Sequence, residues 1–245
     1  MVQDVWRRVA EDYAPWDVDV TTEDPGLEKI RRTASSDAAY GVRCVIGGSS
    51  MQWLGASAGG VAYVGSFGGV VTATTAGTND VPAFVFPQQL SNSARYIAEA
   101  ASHEVGHNVG LSHDGTNQLS PYYSGHNGWA PIMGVGYYEP VTQWSKGEYS
   151  GANNAEDDLA IIPTYGAPLL ADDHGNAAAS ASPLSSSLTA TGLIGTRTDT
   201  DWFSFTGAGS TTVTVTPAAG SPNLDVKLEL FNASGTLLAS ADPAA

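Results

Sequence analysis

One cysteine, Cys44, stands in a chain of 245 residues, so an internal disulfide and a thiolate-based zinc finger are both excluded. Basic side chains are scarce as well: 10 Lys and Arg face 25 Asp and Glu, and the formal charge of −15 repels nucleic-acid backbones and anionic lipid surfaces. No uninterrupted apolar run approaches the roughly 18 residues that a membrane-spanning helix needs. The opening residues, MVQDVWRR, also lack the basic-then-apolar order of an export signal. Charged residues are only 14% of the chain against 42% hydrophobic ones, which excludes a disordered acidic tail and leaves a globular protein. Its length allows one large domain, or a medium one with a small companion. Any metal must be held by His or carboxylates.

Trp6, Val9 and Tyr13 fall at helical spacing before Pro15, which predicts an amphipathic first helix. Alternation over 17–22, 61–67 and part of 83–86, with a more continuous apolar run over 40–46, predicts four strands, and Cys44 reads as an inert buried thiol in the run. Residues 94–109 have no proline and are rich in Ala, Glu and Ile; Ser91, Asn92 and Ser93 offer caps and Gly110 a stop, so a second helix is expected there. Gly, Pro, Ser, Asn and aromatics over 111–153 predict ordered loop, followed by a short capped helix over 154–162. Small residues over 171–183 read as a linker or an irregular lead-in. Beyond them 201–206, 211–216 and 224–231 alternate strongly, and 232–235 form a turn into a further strand. The expected organisation is an α/β (α+β) domain over 1–168, with a mixed sheet and one site-bearing helix, followed by a small all-β module over 169–245.

The chemistry concentrates in HEVGHNVGLSHD, residues 103–114, at the end of the second predicted helix. Residues four apart on a helix lie one above the other, so His103 and His107 can offer two imidazoles to one tetrahedral ion, and Glu104 faces the same cavity. Gly110 can take the left-handed conformation that ends a helix, letting the chain reverse and return His113 as a third ligand. Three imidazoles and an open position make a catalytic site. That donor set favours Zn2+ over Ca2+ or Mg2+, which prefer oxygen. Asp157, Asp158, Asp172 and Asp173 match no calcium-loop pattern and read as a solvated acidic face.

This segment resembles the metzincin zinc peptidases, in which a long zinc motif is followed by a methionine turn. PIMG, residues 131–134, supplies the second part, and the resemblance implies that Met133 forms an apolar floor beneath the metal without ligating it. Asn108 and Asp114 look most like the reprolysin-type branch and its bacterial relatives, with Asp114 supporting the ligands from behind. The resemblance covers most of 1–165. Astacin- and serralysin-type members carry a Tyr two positions after the Met, where this chain has Val135, so a tyrosine fifth ligand is not implied. Metzincin domains open with a strand before their first long helix, and that strand is expected to be missing here. Residues 59–67 match the place where the family has an edge strand above the cleft, which assigns Ala62, Tyr63 and Val64 to pairing with substrate backbone. His126 reads as a loop residue. The tail, with DDHGN at 172–176 and DTDWFSF at 199–205, resembles part of the bacterial prepeptidase C-terminal domain.

The expectation that follows is a secreted zinc-dependent endopeptidase acting on protein or peptide substrates. Glu104 would take the proton of the zinc-acidified water and pass it to the leaving amine. The alternative is an extracellular binding or adhesion module that keeps the fold without catalysis, which would have no use for Glu104.

Overall fold

The computed structural model describes residues 1–117, 120–207 and 209–243. The first helix, α1, spans Val2–Asp12. Its inward stripe runs through Val5, Val9 and Tyr13, while Trp6 stays 40% exposed and donates its indole N–H to the Val20 carbonyl. Residues 17–22 form no strand. Val18 and Val20 do turn toward the core as period two demands, but among the described residues the ladder here is a single bridge from Trp16 to Leu169. Alternation orients side chains; a strand also needs a neighbouring edge. The single-turn helices α2 (Leu27–Ile30) and α3 (Ser50–Trp53) are too short for periodicity to announce.

Three short strands, β1 (Cys44–Ile46), β2 (Gly60–Val61) and β3 (Ala83–Val85), form the expected mixed sheet in the order β1-β3-β2. β1 runs parallel and β2 antiparallel to β3. The strand expected over 61–67 stops at Val61. From Ala62 the chain leaves the sheet because the Gly65 and Phe67 N–H groups donate at 2.8 and 2.9 Å to the His107 and Asn108 carbonyls. On β1 the Cys44 thiol is pushed up to about 12 by burial and by the nearby Glu104, and so stays unreactive.

The long helix α4 spans Ala94–Asn108, as expected to within a residue. Ser93 precedes it, but only its backbone carbonyl is used, taking the Ile97 N–H at 2.9 Å; the side-chain cap is not made. Eleven of its fifteen residues are buried, so α4 is enclosed on nearly every side rather than on one stripe. One apolar cluster, with Tyr13, Trp16, Leu111, Met133, Trp144 and Ile162, packs at its C-terminal half. Another, with Val5, Val85, Leu90 and Ile97, packs with its small Ala98, Ala100 and Ala101.

The loop-rich stretch after α4 contains one parallel pair, β4 (Trp129–Pro131) with β5 (Val141–Gln143). Helix α5 covers Asp158–Ile161, four residues later than the pattern predicts. Two hydrogen bonds cause the delay: the Asn154 side chain takes the Glu156 N–H at 2.9 Å, and the Glu156 carboxylate takes the distant Ser112 N–H at 2.9 Å, so these residues make a turn instead.

In the tail, β6 (Ser182–Pro183) pairs with β7 (Phe203–Ser204), and β8 (Leu228–Phe231) forms the expected hairpin with β9 (Leu237–Ala241). The strand predicted over 211–216 is absent: all six residues are exposed and none is laddered. Of the two readings of 171–183, the irregular lead-in describes the chain and a free linker does not. His174 bonds Ser182 Oγ at 2.8 Å and Asn176 Oδ1 takes the Thr200 N–H at 2.6 Å, giving an ordered turn. Ala208, Ala244 and Ala245 of the expected module lie outside the described residues. No helix among the described residues is long and apolar enough to cross a membrane.

Candidate metal centre

Six residues of α4, Glu99, Ser102, His103, Glu104, His107 and Asn108, are polar and buried. Such groups cost free energy unless each finds a partner, and the partners define the site. His103 Nδ1 lies 2.9 Å from the Ile132 carbonyl, and His107 Nδ1 lies 2.8 Å from the Leu111 carbonyl. A carbonyl accepts only from N–H, so each ring carries its proton on Nδ1 and leaves a lone pair on Nε2.

The chain reversal after α4 is a paired C-terminal cap. Gly110 N–H donates to the His107 carbonyl at 2.9 Å and Leu111 N–H to the Gly106 carbonyl at 3.1 Å. Gly110 sits at φ 97°, and a Cβ there would collide with the Tyr165 ring. This turn returns His113, whose Nε2 lies 2.9 Å from that of His107. One ligand atom from each of His103, His107 and His113 falls within 4.8 Å of the others. Burial, with neighbouring imidazoles adding to it, lowers His103 to about 3 and His113 to about 4, and burial lowers His107. Three neutral rings with convergent lone pairs could hold one metal ion.

Glu104 is 7% exposed, and burial raises its carboxyl to about 8. The edge strand runs directly against it: a Cβ at Gly60 would come 2.6 Å from Glu104 Oε1. The residues beside the carboxylate are therefore those of β2. Ala62, Tyr63 and Val64 lie just past that strand, with Tyr63 and Val64 53% and 61% exposed and the Tyr63 carbonyl taking the Asn108 amide at 3.1 Å.

Met133 is fully buried in the apolar cluster under α4, its sulfur 2.5 Å from where a Gly106 Cβ would sit. A side chain at position 106, between the two helical ligands, would displace it. Asp114 is 1% exposed and ties three segments together: its N–H donates to the Met133 carbonyl at 2.9 Å, its carboxylate accepts from Ser145 Oγ at 2.6 Å, and its carbonyl takes the Tyr123 N–H at 2.7 Å. Asp158, read from sequence as a solvated acid, is instead 1% exposed, takes the Ser145 N–H at 2.9 Å, and is raised to about 8 chiefly by burial and next by Asp114. His126 lies apart from the triad, its Nδ1 bonded to the Tyr123 hydroxyl at 2.9 Å.

Tyr122, which the motif does not announce, and Tyr137 complete the walls. The Tyr122 ring lies 4.4 Å from that of His113 and 6.0 Å from that of His103. Tyr137 packs on Tyr96 at 4.9 Å, and its phenol is raised to about 12 by burial and by Glu104. Both belong to irregular loops, where no spacing rule points inward. Carboxylates also gather in the tail, where Asp172, Asp199 and Asp201 bring oxygens within 4.8 Å of one another. The adjacent His174 ring is already bonded, to Ser182 and to the Thr191 carbonyl.

Residues 25–145 match the model of Metallo-peptidase family M12. That stretch contains the three histidines, Glu104, Asp114 and Met133, and ends before α5 and the tail. No curated protein and no solved structure matches the chain.

Proposed function

We propose that this chain is a zinc-dependent endopeptidase whose ion is held by His103, His107 and His113. The observation that carries the reading is the convergence of three neutral imidazole nitrogens with a buried carboxylate, Glu104, beside an edge strand. The M12 metallopeptidase match over the same residues supports it. Bound zinc would supply Lewis acidity and bring the pKa of a coordinated water toward about 7.

The protein's own groups do the rest. Glu104 accepts the proton of the attacking water, and the same carboxyl, now protonated, delivers it to the leaving amine. Its burial favours holding that proton between the two steps. The edge of β2, Gly60–Val61, with Ala62, Tyr63 and Val64 following it, would hold the substrate backbone extended across the cleft. Met133 and Gly106 keep the ligand-bearing turn tightly seated from below, and Asp114 fixes the loop that carries His113. The tail, with its two strand pairs, is read as part of a β module of the prepeptidase C-terminal kind. An enzyme that cuts proteins is safest outside the cell that makes it, so an extracellular site of action belongs to the proposal.

Metal analysis of the purified chain, joined to casein cleavage with and without a chelator, tests the assignment. One zinc per chain and cleavage that the chelator abolishes and zinc restores are expected. Metal-bound protein with no cleavage of any peptide would overturn the catalytic reading while leaving the metal centre standing.

A further inference from the structure

Beneath the ligand-bearing turn of α4 lies a polar node that joins four segments of the chain. Its centre is Asp12, the last residue of α1, which is 3% exposed. One carboxylate oxygen accepts from Ser102 Oγ, and the other accepts from the side-chain amide of Asn223 at 2.7 Å. The Asp12 main-chain carbonyl takes the Trp144 indole N–H at 2.6 Å, and the neighbouring Tyr13 hydroxyl donates to the Ser102 carbonyl at 2.9 Å. Gln143 donates in turn to the Asn223 carbonyl.

Two of these groups adjoin the turn of α4 that carries the helical ligands. Ser102 is the residue before His103, and the Trp144 ring comes within 3.2 Å of a Cβ position at Gly106, between His103 and His107. Asn223 is the outlier: it comes from the tail, 211 residues from Asp12. There 221–224 are half-buried while 211–216 are exposed, so the tail inserts this one tip into the first region.

We propose that Asn223 is a positioning residue for the metal-binding helix: its amide fixes Asp12, and through Ser102 and Trp144 it sets how firmly the helical histidine pair holds its ion. The inference rests on the metal-centre reading and extends it to the tail. The physical reason is the poverty of donors at the node. Glu11 and Arg8 face Asp12 from α1 and Glu99 and Ser102 from α4, so carboxylates outnumber cations and the side-chain amide is the donor that the tail contributes to Asp12. Losing it leaves a buried carboxylate lobe empty, and the surrounding segments shift to satisfy it.

The test uses the full zinc-loaded chain and reads zinc release to a chromogenic chelator at pH 5.5 and pH 8, each variant against wild type at the same pH. Asn223→Ala is expected to release zinc roughly 3- to 10-fold faster at both, below the 10- to 100-fold typical of groups bonded directly to ligands. Asn223→Asp places two carboxylates face to face, which can dock only by sharing a proton. It should match wild type at pH 5.5 and release faster at pH 8. The double variant Asp12→Asn with Asn223→Asp restores donor and acceptor with their roles exchanged, and should bring release at pH 8 back toward wild type. A residue that merely glued the tail in place would show no such rescue in a metal readout. Release at the wild-type rate from both single variants at both pH values would overturn the proposal. A wild-type chain that takes up no zinc would overturn the metal reading itself, and the proposal with it.

Discussion

The region up to residue 167 and the tail beyond it look alike in sequence, since both alternate apolar and polar residues strongly, yet they are held together differently. Among the described residues every buried hydrophobic side chain lies at or before Ala167, whereas all five residues of β9 are exposed. The first region has two apolar clusters around α4. The tail has scattered contacts such as Trp202 stacked on Phe231 at 5.1 Å, and beyond the backbone bonds of Pro168–Leu170 to Pro15–Asp17 it attaches mainly through single polar side chains. Arg197 reaches Glu148 at 2.9 Å and Asp157 at 2.7 Å, and Asn223 reaches Asp12. Alternation therefore marks a half-buried strand only where a second layer exists to bury it. The tail borrows order from the first region, and returns a hydrogen bond to the buried Asp12 beneath the metal site.

The sharpest way to break this comparison is at the polar face of α4. Glu104→Ala is expected to lower peptide cleavage by roughly 10²- to 10⁴-fold, the usual reach of a general base, while zinc content stays at the wild-type level. Unchanged cleavage would remove Glu104 from the mechanism. His113→Ala should strip most of the zinc during dialysis, because two imidazoles on one helix leave the ion without its third protein donor; retained metal would place the third ligand elsewhere.

Dividing the chain tests the asymmetry itself. A chain ending at residue 170 should still melt cooperatively, with zinc release faster by about the same several-fold factor as Asn223→Ala. Residues 172–243 alone should show no cooperative transition by circular dichroism. A cooperative tail would mean that it has a core of its own.

The pH dependence of the metal-free protein should follow chiefly the first region. Burial raises Glu99, Glu104 and Asp158 to about 8 and Asp12 to about 7. These groups ionise near 4 when unfolded, so between about pH 4 and 8 the folded state binds more protons and stability falls as pH rises. The lowered histidines act oppositely, but only below about 6.5, where the unfolded chain takes up their protons. From pH 6.5 to 8.5 the acids act unopposed, and the thermal midpoint is expected to drop. A rising midpoint over that interval would contradict these assignments. The smallest effect belongs to the tail: Val213→Thr with Val215→Thr, at side chains 42% and 45% exposed, should change stability by no more than ~0.5 kcal/mol.

What could be read from the sequence was local. α4 and its stop at Gly110 follow from residues within a few positions of one another, and so does the pairing of His103 with His107 four residues on. The β8–β9 hairpin, closed by Asn232 and Gly235, is legible for the same reason. The readings that failed depended on something distant. Residues 17–22 and 211–216 have strand periodicity and no partner edge; the strand expected over 61–67 ends at Val61 because the last carbonyls of α4 capture its continuation; Asp158 is an acid whose burial comes from Ser145 and Asp114.

By itself the sequence determined which residues could bind a metal and on which helix they stand, since spacing along a helix fixes a face without reference to the rest of the chain. Only the tertiary structure decided that Met133 seats against Gly106, that Tyr122 walls the site, and that Asn223 reaches under it across 211 residues. Such contacts join positions whose separation in sequence carries no geometric information. They exist because burying α4 obliges each of its polar groups to find a partner, and the partner is whichever segment the packed fold brings within hydrogen-bonding distance.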